Sequence, residues 1–245
     1  MIARLVLALP LAAALLAAAP ARASDPCDVP PALVNLDAPL VRTADRIARK
    51  APLTIVAIGS SSTAGAGASA PQFAYPARLE ADLRRLLPGV PVRVVNRGVN
   101  GEQAPQMIDR FARDVLPEKP DLVIWQVGAN TVLRRSPMTG YPELLGDGLV
   151  RLREAQADVI IMDVQYAPRV LANPEHVEME RILRTFTQAN RIGLFRRFAI
   201  MRHWATTWDP DFKRMLSDDG IHLTDLSYGC VAKLLARGIV DAARP

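Results

Sequence analysis

The chain contains little of what metal and redox chemistry usually needs. It has two cysteines, three histidines and 5% aromatic residues among its 245 positions. No two histidines and no cysteine pair stand at the spacing of metal ligands. The sequence therefore predicts neither a metal centre nor a bound cofactor, and it offers few histidines wherever a general base is required.

A strong charge imbalance is also missing. The chain has 30 lysines and arginines against 25 acidic residues, a net charge of +5. Basic pairs such as those at 84–85 and 196–197 are scattered along the chain, whereas a nucleic-acid-binding protein concentrates its basic residues on one face. The pairs are typical of solvated surface, and we predict no nucleic-acid partner.

Long apolar runs are absent except at the N-terminus. There, MIAR precedes LVLALPLAAALLAAAP and the letters ARA, which match the charged start, apolar stretch and cleavage site of a secretory signal. We predict a signal peptide at 1–23, a mature chain that begins near Ser24, and a periplasmic or secreted protein. The alternative is an uncleaved anchor, although the apolar stretch of ~15 residues is shorter than the ~20 that span a bilayer. After cleavage we expect no stable membrane insertion.

Export would place Cys27 and Cys230 in an oxidising compartment, where a disulfide between them could form. Two buried free thiols would give the same sequence pattern. The bond would join the N-terminal segment to the last predicted helix and, on the chain-entropy account, stabilise the fold by roughly 4 to 5 kcal/mol.

After the signal, the remaining length suits a single domain. Residues 24–50 are rich in Pro, Asp and Ala, and we predict an N-terminal extension there with one short helix near 40–49. The domain itself is predicted over 51–245. Five short apolar runs follow, at 53–58, 92–96, 122–127, 159–164 and 198–201. Their near-continuous Val, Ile and Leu content is typical of parallel strands buried on both faces.

Stretches with helical spacing separate these runs, at 75–87, 106–116, 141–155 and 177–191, and a closing helix is predicted at 225–241. This alternation predicts an α/β fold with a doubly wound, five-stranded parallel sheet and helices on both faces. Ligands of such sheets bind beyond the carboxyl ends of the strands. The turns at Ser61, 96–98 and 128–130 follow three of the strands and should meet at that edge.

The letters DGIH stand just before the closing helix and can reach the same edge. A serine hydroxyl becomes a useful nucleophile when a histidine takes its proton and a third group holds that histidine. We predict Ser61 as nucleophile, His222 as base and Asp219 as the group that orients the ring. His176 begins a helix with no orienting group nearby, and His203 stands in a segment typical of packing.

A negative oxygen that develops on a substrate needs fixed hydrogen-bond donors. The backbone N–H groups of Ser61 and Gly98 and the side-chain amide of Asn130 are the candidates. Gly98 suits this role because a residue without Cβ lets the backbone approach a ligand closely. Taken alone, Gly98 or Asn130 would be better explained as an ordinary turn residue.

Two other interpretations of the glycine-rich stretch GSSSTAGAGA are disfavoured by its spacing. It lacks the GxGxxG pattern with a later acid, and it lacks the lysine of a phosphate-binding loop. It is also not a GxSxG elbow, because Thr63 stands where the second glycine belongs.

Four blocks of the sequence resemble those of the SGNH, or GDSL, hydrolase family. They are IGSSSTAG with Ser61, VVNRGVNGE with Gly98, VGANT with Asn130, and DDGIHL with Asp219 and His222. The resemblance spans about residues 53–240 and is greatest to the periplasmic thioesterase/lysophospholipase branch. Three positions depart from the family pattern, since Ser60 and Thr131 replace acids and Leu223 replaces a proline.

The resemblance implies a flavodoxin-like SGNH fold and an exported serine esterase that cleaves carboxylic esters through an acyl-enzyme. The expected substrates carry short acyl groups on a glycan or a small ester. Three alternatives stay open: a lysophospholipase or thioesterase that acts on longer acyl chains, an acyltransferase, and a non-catalytic glycan-binding protein of the envelope.

Overall fold

The structure is a computed structural model that describes residues 25–244. The predicted signal peptide at 1–23 lies outside the described residues. Within the described part, none of the helices is both long and apolar enough to span a membrane.

One sheet of five strands forms the centre of the fold. The strands are β1 Leu53–Gly59, β2 Val92–Gly98, β3 Leu122–Gln126, β4 Asp158–Met162 and β5 Gly193–Phe195. Their order across the sheet is β2-β1-β3-β4-β5, and every neighbouring pair is parallel. Helices cover both faces, so β1 and β3 are buried along nearly their whole length. The predicted α/β fold is confirmed, and the first four strands lie where the sequence placed them.

The predicted fifth strand is wrong. Residues 198–201 lie in a helix, Arg197–Thr207, and β5 is the three-residue segment Gly193–Phe195 that precedes it. The buried positions of that helix are 197, 198, 200, 201, 204 and 205, which repeat with the helical period. A run of four apolar residues is too short to separate a buried strand from a buried helix face.

Eleven α-helices are present in residues 25–244. They are α1 Val41–Ala48, α2 Ser61–Ala64, α3 Tyr75–Leu86, α4 Ala104–Asp109, α5 Phe111–Asp114, α6 Ala129–Leu133, α7 Tyr141–Glu154, α8 Pro168–Leu171, α9 Glu175–Asn190, α10 Arg197–Thr207 and α11 Asp225–Ala242. Five of the six predicted helices begin and end within two residues of these bounds. The helix predicted at 106–116 is instead divided into α4 and α5 at Arg110, which leaves the helical conformation with φ −100° and ψ 5°.

The N-terminal extension packs onto the domain. Its apolar residues Val34, Leu36 and Leu40 are buried in the same core as the strands. The N–H of Leu194 in β5 donates to the carbonyl of Leu36 (3.1 Å), so the extension covers the edge of the sheet. A disulfide joins Cys27 to Cys230 in α11. The sequence allowed either this disulfide or two free thiols, and the disulfide is confirmed.

Candidate active site

Ser61 lies at a tight turn from β1 into α2. The strand ends at Gly59, Ser60 makes the turn, and Ser61 is the first residue of the helix. A Cβ added at Gly59 would come 2.2 Å from Oγ1 of Thr63 and 2.8 Å from Oε1 of Gln126. Only glycine fits at position 59. Ser61 lies beyond the turn, partly exposed at the carboxyl edge of the sheet.

The structure brings Ser61, His222 and Asp219 together, as the sequence predicts. The Ser61 hydroxyl oxygen lies 2.8 Å from Nε2 of His222, and Nδ1 of His222 lies 2.5 Å from Oδ2 of Asp219. A carboxylate beside Nδ1 keeps the ring proton on that nitrogen, because a carboxylate can only accept. Nε2 is then free to accept the proton of the Ser61 hydroxyl.

The second carboxylate oxygen of Asp219 holds its own turn. Oδ1 accepts the backbone N–H groups of Ile221 (3.0 Å) and His222 (2.9 Å) and the hydroxyl of Ser217 (3.0 Å). Gly220 makes this possible with φ +67°, which glycine adopts without strain. The carboxylate and the imidazole are therefore fixed to each other within four residues of chain.

The charge of Asp219 is stabilised in this setting. Partial burial acts to raise the pKa of its carboxyl, but the hydrogen bonds from His222, Ile221 and Ser217 act in the opposite direction and prevail. The pKa of Asp219 therefore lies well below its ordinary range. A carboxylate that stays ionised can stabilise the positive imidazolium that forms when His222 takes a proton.

The base of the loop is tied to α11. The N–H of Ser217 donates to the carbonyl of His222 (2.9 Å), and Leu216 pairs with Leu223 in an antiparallel bridge. Thr224 caps α11 by accepting the N–H of Ser227. Because α11 is packed against α3, the loop that carries His222 is anchored at its C-terminal end to a packed helix.

The N–H of Gly98, which was predicted as an oxyanion donor, already has an acceptor. It donates to the side-chain oxygen of Asn96 (2.9 Å). A Cβ at Gly98 would lie 2.1 Å from the backbone nitrogen of Ala64. Position 98 must be glycine because β2 and α2 are in close contact there, and a Cβ would clash with the backbone of α2.

Gly101, the second glycine of the block VVNRGVNGE, has the property that was expected of Gly98. Its φ is +79°, and among residues 25–244 its N–H donates to no acceptor within hydrogen-bonding distance. Its carbonyl accepts the guanidinium of Arg134 (2.8 Å). The two glycines stand three positions apart, and nothing in the sequence alone chooses between them.

Asn130 lies at the start of α6, beside the segment that contains Gly101. Its Nδ2 donates to the carbonyl of Glu102 (2.8 Å), the residue directly after Gly101. The amide group carries two N–H bonds, and the second has no acceptor in the described part of the chain. Asn130 and Gly101 therefore offer two unoccupied donors from neighbouring segments.

His176 has an acidic neighbour, which the sequence pattern did not indicate, but within residues 25–244 its ring bonds to no serine hydroxyl. Nδ1 of His176 lies 3.1 Å from Oε1 of Glu180, and its ring packs on Phe198 with centroids 5.3 Å apart. Beyond the end of β4, the ring of Tyr166 stacks on Phe212 with centroids 5.7 Å apart. Within residues 25–244, no group of three or more histidine, cysteine, aspartate or glutamate side chains is arranged to hold a metal.

The chain is similar to known proteins in sequence and in structure. The model of the Non-GDSL lipase-like family matches residues 26–245. No curated protein matches the chain. Among solved structures, a two-domain esterase active on acetylated mannans is similar with a TM-score of 0.69 and 18% identity, over 86% of this chain and 55% of that one. This chain thus spans about half of that protein.

Two further structures match nearly over their own full length. A catalytic mutant of an acetylxylan esterase from Geobacillus stearothermophilus has a TM-score of 0.64 and 19% identity, over 76% of this chain and 94% of that one. The protein TesA has a TM-score of 0.66 and 21% identity, over 77% of this chain and 99% of that one. At these identities the likeness concerns the fold, which is that of SGNH/GDSL hydrolases.

Proposed function

We propose that this chain, which belongs to the Non-GDSL lipase-like family and is an ester hydrolase of the SGNH/GDSL type, acts as an exported serine esterase through an acyl-enzyme. The observation that carries the proposal is the continuous hydrogen-bonded path from Asp219 through His222 to Ser61, with 2.5 Å and 2.8 Å between the bonding atoms. No other histidine in the described residues contacts both a serine hydroxyl and a carboxylate.

In this mechanism the Ser61 oxygen attacks the ester carbonyl while Nε2 of His222 takes the hydroxyl proton. The same proton then passes to the oxygen of the leaving alcohol as the carbon–oxygen bond breaks, which leaves an acyl group on Ser61. A water molecule repeats the sequence, giving one proton to His222 and attacking the acyl carbon. Ser61 regains its proton when the acid leaves.

The proposed donors for the oxyanion are the N–H of Ser61, the N–H of Gly101 and the side-chain amide of Asn130. Gly98 is not included because its N–H is bound to Asn96. Each such donor typically contributes about 2.7 to 4 kcal/mol to the stability of the transition state.

For the substrate we propose short acyl groups on a glycan or a small ester. Two of the structures with this fold are of esterases that act on acetylated mannans and on acetylated xylan, and that likeness supports the proposal. The family description, lipase-like, favours a second candidate, a lysophospholipase or thioesterase that acts on longer acyl chains. Rates on nitrophenyl esters of increasing chain length separate the two, because a sharp loss beyond four carbons contradicts the second.

For the location we propose the periplasm or the extracellular space. The sequence pattern at 1–23 and the disulfide between Cys27 and Cys230 support it, because disulfides persist in oxidising compartments. Cell fractionation with an N-terminal sequence of the mature protein tests it, and a chain retained whole in the cytoplasm would contradict it.

The central test is labelling with a fluorophosphonate probe, which reacts only with an activated serine. We expect one label per protein in the wild type and none in Ser61→Ala. Ser62→Ala is the matched control, since Ser62 is the next residue of α2 and is buried; it should keep the label. A wild type that takes no label, or a Ser61→Ala variant that does, would overturn the proposal.

A further inference from the structure

The side chain of Gln126 stabilises the turn that carries Ser61. Oε1 of Gln126 lies 2.9 Å from the backbone nitrogen of Ser60, 3.0 Å from the Ser60 hydroxyl and 3.3 Å from Oγ1 of Thr63. Each of these residues is at most 3% exposed. A backbone N–H can only donate, so the atom of Gln126 that faces Ser60 must be the oxygen. Three donors therefore converge on one buried acceptor.

The tertiary structure brings this acceptor into place. Gln126 is the last residue of β3, which pairs with β1 in a register that sets Ile58 opposite Trp125. The next residue is Gly59 in β1 and Gln126 in β3. Because Gly59 has no Cβ, the glutamine side chain can pass it and reach Ser60 and Thr63.

The hydrogen bonds act on the residue directly before the nucleophile. Ser60 also begins α2, since its carbonyl accepts the N–H groups of Thr63 (3.0 Å) and Ala64 (2.9 Å). Thr63 extends the array to α3 through the hydroxyl of Tyr75 (3.2 Å). The position of Ser61 relative to His222 therefore depends on where Ser60 is held.

No acceptor other than Gln126 serves the N–H of Ser60 in the described part of the chain. A buried donor that loses its acceptor cannot stay in place without a large cost. If the Gln126 oxygen is removed, Ser60 must turn toward water or another acceptor, and Ser61 moves with it.

We infer that Gln126 is a positioning residue for Ser61, which it holds at the distance that lets His222 take the hydroxyl proton. The inference rests on the proposed function, since it assigns a task within the same site. Gln126 touches no reacting atom, and its effect passes through Ser60 and Thr63.

The experiment compares two variants of Gln126 in the full chain. Gln126→Met keeps the length of the side chain and removes the acceptor. Gln126→Glu keeps the acceptor at the same place. For each we measure the rate constant of fluorophosphonate labelling, together with kcat and KM on nitrophenyl acetate, in samples matched for folded protein by circular dichroism.

We expect Gln126→Met to lower the labelling rate constant and kcat by tenfold or more, because a displacement of about 1 Å can cost ~100-fold in rate. KM should change by less than about twofold, since the proposed role concerns positioning of the nucleophile and not binding. Gln126→Glu should restore both rates to within a few-fold of the wild type.

The control is Thr187→Val, which removes a buried hydroxyl that bonds to the carbonyl of Arg184 in α9. Thr187 lies near the C-terminal end of α9, at the opposite edge of the sheet from Ser61, so its loss should lower stability and leave the labelling rate unchanged. If Gln126→Met does not fold, Gln126→Asn takes its place, because it withdraws the oxygen by one methylene while keeping an amide.

The outcomes separate this inference from the proposed function. A wild type without label overturns the proposed function. A labelled wild type with Gln126→Met at the wild-type rate overturns only the role of Gln126. A Gln126→Glu variant as slow as Gln126→Met overturns it too, because the acceptor would then be present without effect.

Discussion

The two halves of the candidate site are built in different ways. Asp219 and His222 belong to one short turn, and their side chains are 42% and 20% exposed. The bonds that fix Asp219 come from residues within three positions of it. Ser61 instead follows a buried residue, Ser60, whose acceptor Gln126 is 66 positions away along the chain.

This difference determines what each half can tolerate. A turn held by its own residues depends on those residues and little on the rest of the fold. The turn at Ser61 depends on the register between β1 and β3 and on the space above Gly59. Substitution of His222 in the loop half should change the chemistry with little change in stability, whereas substitutions under Ser61 should change both.

The largest effect should come from the loop half. His222→Ala removes the base and should lower kcat by about 10⁵-fold or more. Asp219→Asn should lower it by on the order of 10⁴-fold, because an amide nitrogen beside Nδ1 would favour the wrong ring tautomer. Steady-state kinetics on nitrophenyl acetate measures both, with thermal unfolding as the check on stability.

Two neighbours provide controls for these variants. His203→Ala in α10 and Asp218→Asn beside the turn should keep the wild-type rate. A loss of folded protein in His222→Ala that accounts for the lost activity would contradict the view that this half is independent of the core.

Asn130→Ala should have the next largest effect, about 10² to 10³-fold in kcat, since it removes one proposed oxyanion donor. KM should stay close to that of the wild type because the donor acts mainly on the transition state. Asn190→Ala is the control, since its amide also donates to a backbone carbonyl, that of Phe186, but at the far end of α9. An Asn130→Ala variant with an altered KM and an unchanged kcat would assign Asn130 to binding instead.

Ser60→Asp should have a smaller effect on rate and a clear one on stability. The substitution restores the acid of the GDSL pattern, but here the carboxylate would face the Gln126 oxygen that now accepts from Ser60. Two acceptors in contact leave at least one without a donor, which costs about 1 to 3 kcal/mol when buried. Ser60→Ala, which loses one hydrogen bond and gains no charge, should cost only about 0.5 to 1.5 kcal/mol. Denaturant unfolding measures both, and a more stable Ser60→Asp would show that the Gln126 amide can reverse.

The smallest effect is the pH dependence of stability, where two aspartates should act in opposite directions. Burial raises the pKa of Asp163, next to the end of β4, from 3.8 to about 7. Its contribution to stability is therefore present below pH 3.8 and is lost as pH rises through about 7. Hydrogen bonds lower the pKa of Asp219 below 3.8, so its contribution is present above pH 3.8 and is lost as pH falls.

Thermal midpoints measured from pH 3 to 9 test this contrast. Relative to the wild type, Asp163→Asn should gain stability as pH rises, while the stability that Asp219→Asn lacks should be constant above about pH 4 and should shrink as pH falls below it. Midpoint curves that stay parallel for all three proteins would show that neither carboxyl has a shifted pKa.

Much of the fold could be predicted from the sequence because its signals are local. Continuous apolar runs indicate the first four strands, and helical spacing indicates the long helices. The fifth strand could not be found in this way. Gly193–Phe195 is three residues long and becomes a strand only because β4 and the extension supply hydrogen-bond partners on its two sides.

The site divides along the same line. The spacing of Asp219 and His222 is a local pattern, and the structure places the two as that spacing predicts. The choice between Gly98 and Gly101 depends on which N–H finds an acceptor, and that is decided by Asn96 and by the approach of α2 to β2. Sequence gives no measure of that approach.

By itself, then, the sequence determined the α/β class, the pair formed by Asp219 and His222, and a serine at the end of the first strand, because each follows from residues close together in the chain. The tertiary structure alone decided which glycine keeps a free N–H, where the last strand lies and which side chain supports Ser60. These depend on strand register and on distances between segments far apart in the chain, and such distances exist only after the sheet has formed.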